Sequence, residues 1–446
     1  MAFTSPKLWL APLVFVLITA CRHNPPPPPP PPSGPDALVG FDNRSNGAVA
    51  ESIHAADLDA FDEVETIADG LGPLYNAQSC RECHQNPVSG AASQVTELRV
   101  GHNGPDGKFV NPDIPIGRGT TVIQARTLVN DRAICPNAQF PDSEIQERVP
   151  ESERIRTFRI SLNVLGDGFV EAVDDTTLLG IAHEQCRSTN GKICGQALYV
   201  PIIEAPGTTR VGRFGWKDQH ASLLSFSADA YLNEMGITSR LQPDEVTAIC
   251  NTVEEPNNQN DSTGLADIDR FARFMRATKA PARDTLLART SLAVLGSRLF
   301  DSVGCATCHV RTLVTAPAGT AFNGGMDIVP AALGSKTFHP FGDFLLHNVG
   351  TGDGIVMTMQ EHYGRRAMQM LWKNYSRPEF NSTQNKMRTA PLWGVRLRPR
   401  LMHDAASLTL RDAIVRHRGE AGGVTDRFLR LSNSEQQAVV EFLKSL

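Results

Sequence analysis

The sequence has no block of basic residues and little excess of charge of either sign. Its 446 residues include 43 Lys and Arg against 48 Asp and Glu, a formal net charge of -5. Proteins that bind nucleic acids normally carry a basic patch, so this class of function is excluded. Hydrophobic residues make up 41% and charged residues 20% of the chain, which excludes a disordered or fibrous protein. The length predicts two domains plus some non-globular sequence.

The apolar run at the N-terminus is too short to cross a bilayer as a helix. It covers residues 8–20, follows a single cation, Lys7, and predicts a signal peptide over residues 1–20. Small residues just before Cys21 are typical of a bacterial lipoprotein, in which this Cys is cleaved to the new N-terminus and acylated; ordinary secretion, with Cys21 discarded or free, is the alternative. Eight prolines at residues 25–32 predict an extended polyproline rod. We therefore expect residues 21–40 to be a lipid anchor and linker that holds the protein on the periplasmic side of the cell envelope, at the outer membrane rather than the inner one.

Two short motifs have the pattern C-x-x-C-H. They consist of Cys80, Cys83 and His84 and of Cys305, Cys308 and His309. At this spacing two thiols add to the vinyl groups of a haem, and the His binds the iron as its proximal ligand. A zinc site made from both Cys pairs and a redox-active dithiol are alternatives, but neither needs a His after the second Cys, and only 12 of the 446 residues are His. The motifs therefore predict two covalently bound c-type haem groups.

The two motifs lie far apart in the chain, which predicts one haem in each of two domains. Residues 41–285 form the first domain and residues 286–446 the second, with helices expected before each motif at residues 61–75 and 291–303. Short β-like runs separated by Gly and Pro at residues 94–100, 120–123, 157–160 and 197–203 predict a β-containing insertion over about residues 95–215. The predicted fold is mainly α, with two cytochrome c-like haem domains.

The C-terminal helix has a clear start signal. Ser432 and Glu435 form a capping box, and Val439, Leu443 and Leu446 then make one apolar stripe. This stripe can pack across the helix that precedes Cys305.

Several segments resemble a known family. The runs at residues 388–395, 401–404 and 409–417 resemble the C-terminal haem domain of bacterial di-haem cytochrome c peroxidases. Residues 70–76, 212–217 and 417–421 look like a related family of di-haem oxidoreductases assigned as peroxidases, and the resemblance covers roughly residues 60–446. It implies two covalent haem groups, one storing electrons and one open to peroxide, and leaves room for a calcium ion.

The resemblance also implies a distal ligand for the second haem. In these relatives it lies fourteen residues after the His of a His-Asp pair, and counting from His403 gives His417. Thr409 can cap a short helix there, which would place Leu410, Ile414 and His417 on one face. A surface role for His417 and ligation by Met402 instead are the alternatives.

For the first haem the relatives suggest three residues. Residues 231–235 are similar to the family's Asn-Pro-x-Glu-Met stretch, which makes Glu234 the candidate acid/base, and Trp216 lies where relatives carry a Trp between the haems. His102 lies where peroxidases carry a displaceable ligand. The family's upstream Gln is absent from residues 224–226. A helix-end ion pair for Glu234, a core position for Trp216 and a plain turn at His102 are the alternatives.

The four remaining Cys suggest disulfides in an oxidising compartment. We favour the pairs Cys186 with Cys194 and Cys135 with Cys250. Further candidate ligands are His183, His220, His339 and His347. We expect packing roles for Met357, Met359, Met368 and Met370.

The sequence thus predicts a lipid-tethered periplasmic di-haem oxidoreductase. We expect it to reduce hydrogen peroxide with electrons from a small cytochrome c or cupredoxin. An electron-transfer cytochrome without substrate chemistry, and a di-haem oxidase of an organic or thiol substrate, remain as alternatives.

Overall fold

The computed structural model describes Met1 and residues 34–135, 140–244, 264–363 and 378–446. The predicted signal peptide, Cys21 and the proline rod lie outside the described residues. Helices take 36% and strands 16% of the structure. The helices are α1 (Glu51–Asp62), α2 (Cys80–Cys83), α3 (Asp142–Ile145), α4 (Asp167–Glu171), α5 (Asp175–Ser188), α6 (Leu223–Met235), α7 (Asp267–Ala277), α8 (Thr285–Ala288), α9 (Ser291–Val303), α10 (Met359–Tyr363), α11 (Leu410–Arg416), α12 (Gly422–Leu429) and α13 (Asn433–Lys444).

The strands are short and form small antiparallel sheets. They are β1 (Leu74–Tyr75), β2 (Thr96–Asn103), β3 (Phe109–Val110), β4 (Asp113–Ile116), β5 (Thr121–Gln124), β6 (Leu128–Val129), β7 (Arg132–Ala133), β8 (Ile155–Ile160), β9 (Tyr199–Pro201), β10 (Thr209–Val211), β11 (Leu313–Val314), β12 (Ala321–Phe322), β13 (Asp327–Ile328), β14 (Thr337–Phe338), β15 (Leu346–His347) and β16 (Met387–Arg388). Short 3-10 turns lie at Ile67–Asp69, Gly117–Gly119, Cys305–Thr307, Asn323–Gly325, Pro378–Thr383, Val395–Leu397 and Gly419–Ala421.

The β-containing insertion contains the four predicted β runs, as β2, β5, β8 and β9. Strand β2 is the centre of the largest sheet, because it pairs with β3, β6 and β8. The insertion also holds a helix that its β-like runs did not indicate, α5, which Asp174 caps by accepting from the amide of Thr176. Strands also occur beyond the insertion, since β11 to β16 form two-stranded sheets in the C-terminal part of the chain.

The helix predicted over residues 61–75 is wrong. Helix α1 begins earlier and ends at Asp62, and the chain then runs through a 3-10 turn into β1, which pairs with β7. Gly70 and Gly72 have φ angles of 90° and 82°, a conformation that ends helices, and Pro73 has no amide hydrogen to continue one.

The C-terminal helices form as predicted. Helix α9 covers residues 291–303, and α13 begins after the capping box of Ser432 and Glu435. The two helices cross closely, with the rings of Phe300 and Phe442 5.3 Å apart. This crossing fixes the direction in which α9 delivers the second haem motif.

The crossing of α9 and α13 depends on Gly296. A Cβ at this position would overlap the backbone carbonyl of Ala438, so we expect Gly296→Ala to lower the free energy of unfolding by about 1–3 kcal/mol. Gly180 in α5 is the matched control because a Cβ there meets nothing within 4 Å, and Gly180→Ala should raise the free energy of unfolding by about 0.5–1 kcal/mol. Urea unfolding of the two variants measures both effects; equal changes would show that the helices do not meet this closely.

Residues Gly34–Leu446 form one compact unit, and the domain boundary between residues 285 and 286 stays a prediction. In the described part of the chain, no helix is both long and apolar enough to cross a membrane.

Candidate haem sites

Each C-x-x-C-H motif lies in the wall of a cavity of its own. We call the cavity lined by Cys80, Cys83 and His84 the N-terminal cavity, and the one lined by Cys305, Cys308 and His309 the C-terminal cavity. They enclose about 1580 and 1490 Å³ of open space, their mouths to solvent included. A zinc site made from both Cys pairs is therefore contradicted, since its four sulfurs would have to surround one ion.

Local backbone signals place the second motif in its cavity. Thr290 caps α9 by accepting from the amide of Ala293, and Gly304, with a φ of 95°, ends this helix immediately before Cys305. The thiols of Cys305 and Cys308 are free. Burial raises the pKa of both, that of Cys305 to about 12, so they are neutral thiols facing a largely apolar space.

His309 and His417 face each other across the C-terminal cavity. The Nδ1 atom of His309 lies 3.1 Å from the carbonyl oxygen of Phe341, and that of His417 lies 2.7 Å from the carbonyl oxygen of Ala413. In each ring, Nε2 is therefore the nitrogen that is left to bind a metal. Burial lowers the pKa of both rings, that of His309 to about 4, so both are neutral, as metal binding requires.

The separation of these rings fits an iron between them. Their centroids are 6.4 Å apart, and an imidazole nitrogen binds a metal at about 2 Å, so two such bonds across one ion place the centroids about 6 Å apart. The short helix α11 positions His417, since Thr409 caps it as predicted and it ends at Arg416, the residue before this His. Met402, the alternative ligand, lies in the same wall.

The wall of the C-terminal cavity carries a cation suited to a haem propionate. Arg398 lines the cavity, and burial, together with the charge of Arg388, lowers its pKa to about 10. Its guanidinium donates to the carbonyl oxygen of Pro391 at 3.2 Å, and no carboxylate among the described residues pairs with it. A bound anionic group would satisfy this charge.

The N-terminal cavity has a more polar wall. Ser79 caps α2, which carries Cys80 and Cys83. Both thiols are free, and burial raises the pKa of each, that of Cys83 to about 12. Burial lowers the pKa of His84 to about 4, so this ring is also neutral and suited to a metal.

Glu234 reaches the same cavity from the end of α6. Gly236 ends this helix with a φ of 69°, and a Cβ there would lie 2.7 Å from the carbonyl oxygen of Leu74, so only Gly lets α6 meet β1 this closely. One carboxyl oxygen of Glu234 accepts from the side-chain amide of Asn76 at 3.3 Å, and the other lies 4.0 Å from Arg99. Burial first, and the charge of Glu97 second, raise its pKa well above the usual range.

Sequence reasoning missed the partners of Glu234 in this wall. Arg99 donates to Glu97 at 2.6 Å and to Glu361 at 2.5 Å. Glu97 and Arg99 are two residues apart on β2, so they share one face of the strand. Two opposite charges at this spacing in a predicted strand were the signal that could have found them.

Trp216 lies between the two cavities and lines both. Its indole nitrogen donates to the carbonyl oxygen of Ile160 at 2.8 Å, and its ring meets that of His403 edge-on at 6.1 Å. The residues that line both cavities are Ile160, Ser161, Leu162, Trp216 and Arg388. Trp216 therefore has the position between the two sites that the family resemblance implies. It also has the hydrogen-bonded indole nitrogen expected of a core aromatic residue.

The structure does not bring His102 to the N-terminal cavity. This residue lies on β2, paired with Val110, and its Nδ1 contacts a carboxylate oxygen of Glu153 at 2.8 Å. The strand therefore turns it toward Glu153, and the residues that line the N-terminal cavity do not include it, so the structure does not support its assignment as a displaceable ligand.

The other candidate His residues also have partners or lie on the surface. His220 contacts Asp229 at 2.8 Å, His347 contacts Asp343 at 3.0 Å, and His339 contacts the hydroxyl of Thr312 at 3.0 Å. His183 is exposed on α5.

Two clusters among the described residues hold three potential metal ligands each. One consists of His220, Asp229 and His362, and the other of Cys308, Asp343 and His347. Both contain nitrogen or sulfur ligands, whereas calcium prefers oxygen. Calcium therefore stays a prediction.

The predicted disulfide between Cys186 and Cys194 is confirmed. Cys135 is disulfide-bonded as well, and its predicted partner, Cys250, lies outside the described residues, as do Met368 and Met370. Met357 and Met359 are buried in an apolar cluster, as expected for packing residues.

Two C-x-x-C-H motifs, each in the wall of its own cavity, define a di-haem protein. Comparison with known proteins agrees with this class. A family model described as "Di-haem oxidoreductase, putative peroxidase" matches residues 135–446. This is well over half of the chain, so the protein belongs to the di-haem oxidoreductase family, and its members are enzymes that carry haem. No curated protein matches.

Three solved structures are among those that this chain matches at low sequence identity. A hydrazine synthase of Kuenenia stuttgartiensis is 14% identical, with a TM-score of 0.38 over 98% of this chain and 100% of its own. The diheme peroxidase BthA of Burkholderia thailandensis is 12% identical, with a TM-score of 0.40 over 93% and 94%. A MauG-like protein associated with microbial copper homeostasis is 14% identical, with a TM-score of 0.36 over 92% of each chain.

Proposed function

We propose that the protein is a periplasmic c-type di-haem peroxidase. It reduces hydrogen peroxide to water with two protons and with two electrons that a small cytochrome c or cupredoxin supplies. The observation that carries this proposal is the difference between the two cavities. A second imidazole, His417, faces His309 in the C-terminal cavity, whereas a protonatable carboxyl group, Glu234, lies in the N-terminal cavity with His84.

The cofactor would be held by the residues that line each cavity. Cys80 and Cys83 would attach one haem with His84 as its iron ligand, and the equivalent residues of the second motif are Cys305, Cys308 and His309, with His417 as a further ligand. When bound, the haems supply redox-active iron, one as an electron store and one as the place where peroxide is reduced.

The protein's own residues then supply the proton chemistry and the path between the sites. Burial and the charge of Glu97 raise the pKa of Glu234 and favour its protonated form, so it can act as a general acid toward peroxide. Trp216, which lines both cavities, is the aromatic group through which electrons pass from the C-terminal to the N-terminal site. The buried polar wall around Glu234 holds this carboxyl group in place through Asn76.

The experiment is a resting spectrum combined with turnover. A high-spin ferric band in the resting or half-reduced protein, together with peroxide consumption with a reduced cytochrome or cupredoxin, is the expected result. Two low-spin haems and no turnover would mean an electron carrier. A third outcome is a high-spin haem in a protein that oxidises an organic or thiol substrate but does not oxidise the donor protein with peroxide. This outcome would mean an oxidase.

The proposed location depends on Cys21. We expect Cys21→Ser to move the protein from the membrane fraction to the soluble periplasmic fraction, because the lipid would be attached to this thiol. The haem spectrum should not change, since the proline run at residues 25–32 separates the anchor from the haem sites in the sequence. Unchanged membrane association of the variant would reject the anchor.

A further inference from the structure

The wall of the N-terminal cavity contains two carboxyl groups beside the same guanidinium, that of Arg99. Glu97 comes from β2 of the insertion and Glu234 from the end of α6, and their carboxyl oxygens lie 2.6 and 4.0 Å from the guanidinium of Arg99. Two carboxylates beside one cation repel each other when both are ionised, which favours a single proton on the pair.

The surrounding donors decide which carboxyl group keeps the proton. Glu97 accepts a charged hydrogen bond from Arg99 at 2.6 Å, whereas Glu234 is 4.0 Å from the same guanidinium and accepts only a weak bond from the amide of Asn76 at 3.3 Å. Hydrogen bonds from a cation favour the ionised form. The negative charge therefore lies on Glu97 and the proton on Glu234.

A third acid near Arg99, Glu361, has several hydrogen-bond donors of its own. Glu361 accepts from Arg99 at 2.5 Å, from the hydroxyl of Thr127 at 2.9 Å and from the amide of Leu128 at 3.2 Å. Its oxygens are therefore occupied by donors outside the pair. The titratable and charged groups that line the cavity around the pair are Arg99, Asp131, Arg132, Arg159, Asp167, Asp229, Glu361, His362 and Arg388, together with His84, Cys80 and Cys83.

We propose that Glu97 is a positioning residue for Glu234: held ionised by Arg99, it keeps the single proton of the pair on Glu234, where this carboxyl group can give it to peroxide. The role of this pair in peroxide reduction rests on the proposed function. The sharing of one proton by the two carboxyl groups does not depend on that function. When Glu234 releases its proton to the substrate, the pair becomes doubly negative, so repulsion from Glu97 drives the uptake of the next proton.

The pKa shifts agree with this assignment. Burial and the nearby charge of Glu97 raise the pKa of Glu234. Burial alone would raise the pKa of Glu97 as well, but the charge of Arg99, the hydrogen bond from Glu234 and the charge of Arg159 together lower it.

The test follows the proton in the haem-loaded protein by infrared difference spectroscopy. The wild type should show the band of a protonated carboxyl group at a pH well above that at which an ordinary Glu loses its proton, and this band should be absent from Glu234→Gln. In Glu97→Gln the neighbouring charge is gone, so the band should titrate at a pH lower by at least about one unit. Glu144→Gln removes a half-buried carboxylate that pairs with Arg118 outside the cavity wall and should leave the midpoint unchanged.

Two further measurements separate the possible failures. Glu97→Asp keeps the charge and should retain most of the raised midpoint, which guards against a general packing defect in Glu97→Gln. If the wild type turns over peroxide, the alkaline limb of its kcat/KM profile should move down by the same amount in Glu97→Gln. A midpoint that Glu97→Gln leaves in place, or no band assignable to Glu234, overturns the inference; a shifted midpoint in a protein without peroxide turnover supports the pair and rejects the proposed function alone.

Discussion

Glu234→Gln should lower peroxide turnover by about 10²- to 10⁴-fold, the usual contribution of a general acid or base. Glutamine has the shape of the native side chain and can still bond to the amide of Asn76, but it has no proton to give. Haem content and the binding of the donor protein should be unchanged. Because the native pKa is raised, the wild type should lose turnover as the pH rises through that pKa, where Glu234 gives up its proton.

The matched control is again Glu144→Gln, which leaves the cavity untouched. Single-turnover reduction of peroxide by the fully reduced variants separates the chemical step from electron delivery. A purely structural Glu234 would give the opposite pattern, with lower stability or haem loading and nearly normal turnover for each loaded site.

Replacing His417 by Met should raise the reduction potential of one haem on the order of 0.1 V or more, within the range of about 0.8 V that axial ligands cover. The reason is that thioether sulfur favours ferrous iron whereas imidazole favours ferric iron. His417 is placed for ligation by the carbonyl oxygen of Ala413, which binds its Nδ1 at 2.7 Å. A spectroelectrochemical titration that resolves both haems measures the shift.

Only one haem should respond, since the N-terminal cavity does not include His417. Met402→Leu is the control, because Met402 lines the same cavity and would be the ligand if His417 were not. A large change of potential in Met402→Leu, with none in His417→Met, would reverse the assignment.

Local signals in the sequence predicted the elements that carry the cofactor ligands. The capping residues Thr290, Thr409 and Ser432 begin α9, α11 and α13, and hydrogen bonds within a few residues of each cap are enough to determine these starts. The glycines and the proline at residues 70–73 are an equally local signal. Because such residues end helices, they argue against the helix predicted over residues 61–75.

The polar wall of the N-terminal cavity could not be predicted in this way. Arg99 and Glu361 are 262 residues apart in sequence, and no pattern along the chain records that they meet. The same holds for the meeting of Glu97 and Glu234 at Arg99, which depends on how the insertion sheet packs against α6. His102 was misplaced for a related reason: the spacing from His84 was counted along the chain, but β2 turns this side chain toward Glu153.

The intact mass of the protein, after expression with a haem-attachment system, is the most direct test of two covalent haems. The wild type should exceed the mass of the apoprotein by two haems, and the double variants Cys80→Ala/Cys83→Ala and Cys305→Ala/Cys308→Ala should each lose one, because each cavity contains only its own pair of thiols. A mass equal to that of the apoprotein, with bound zinc and no Soret band, would contradict both haem sites.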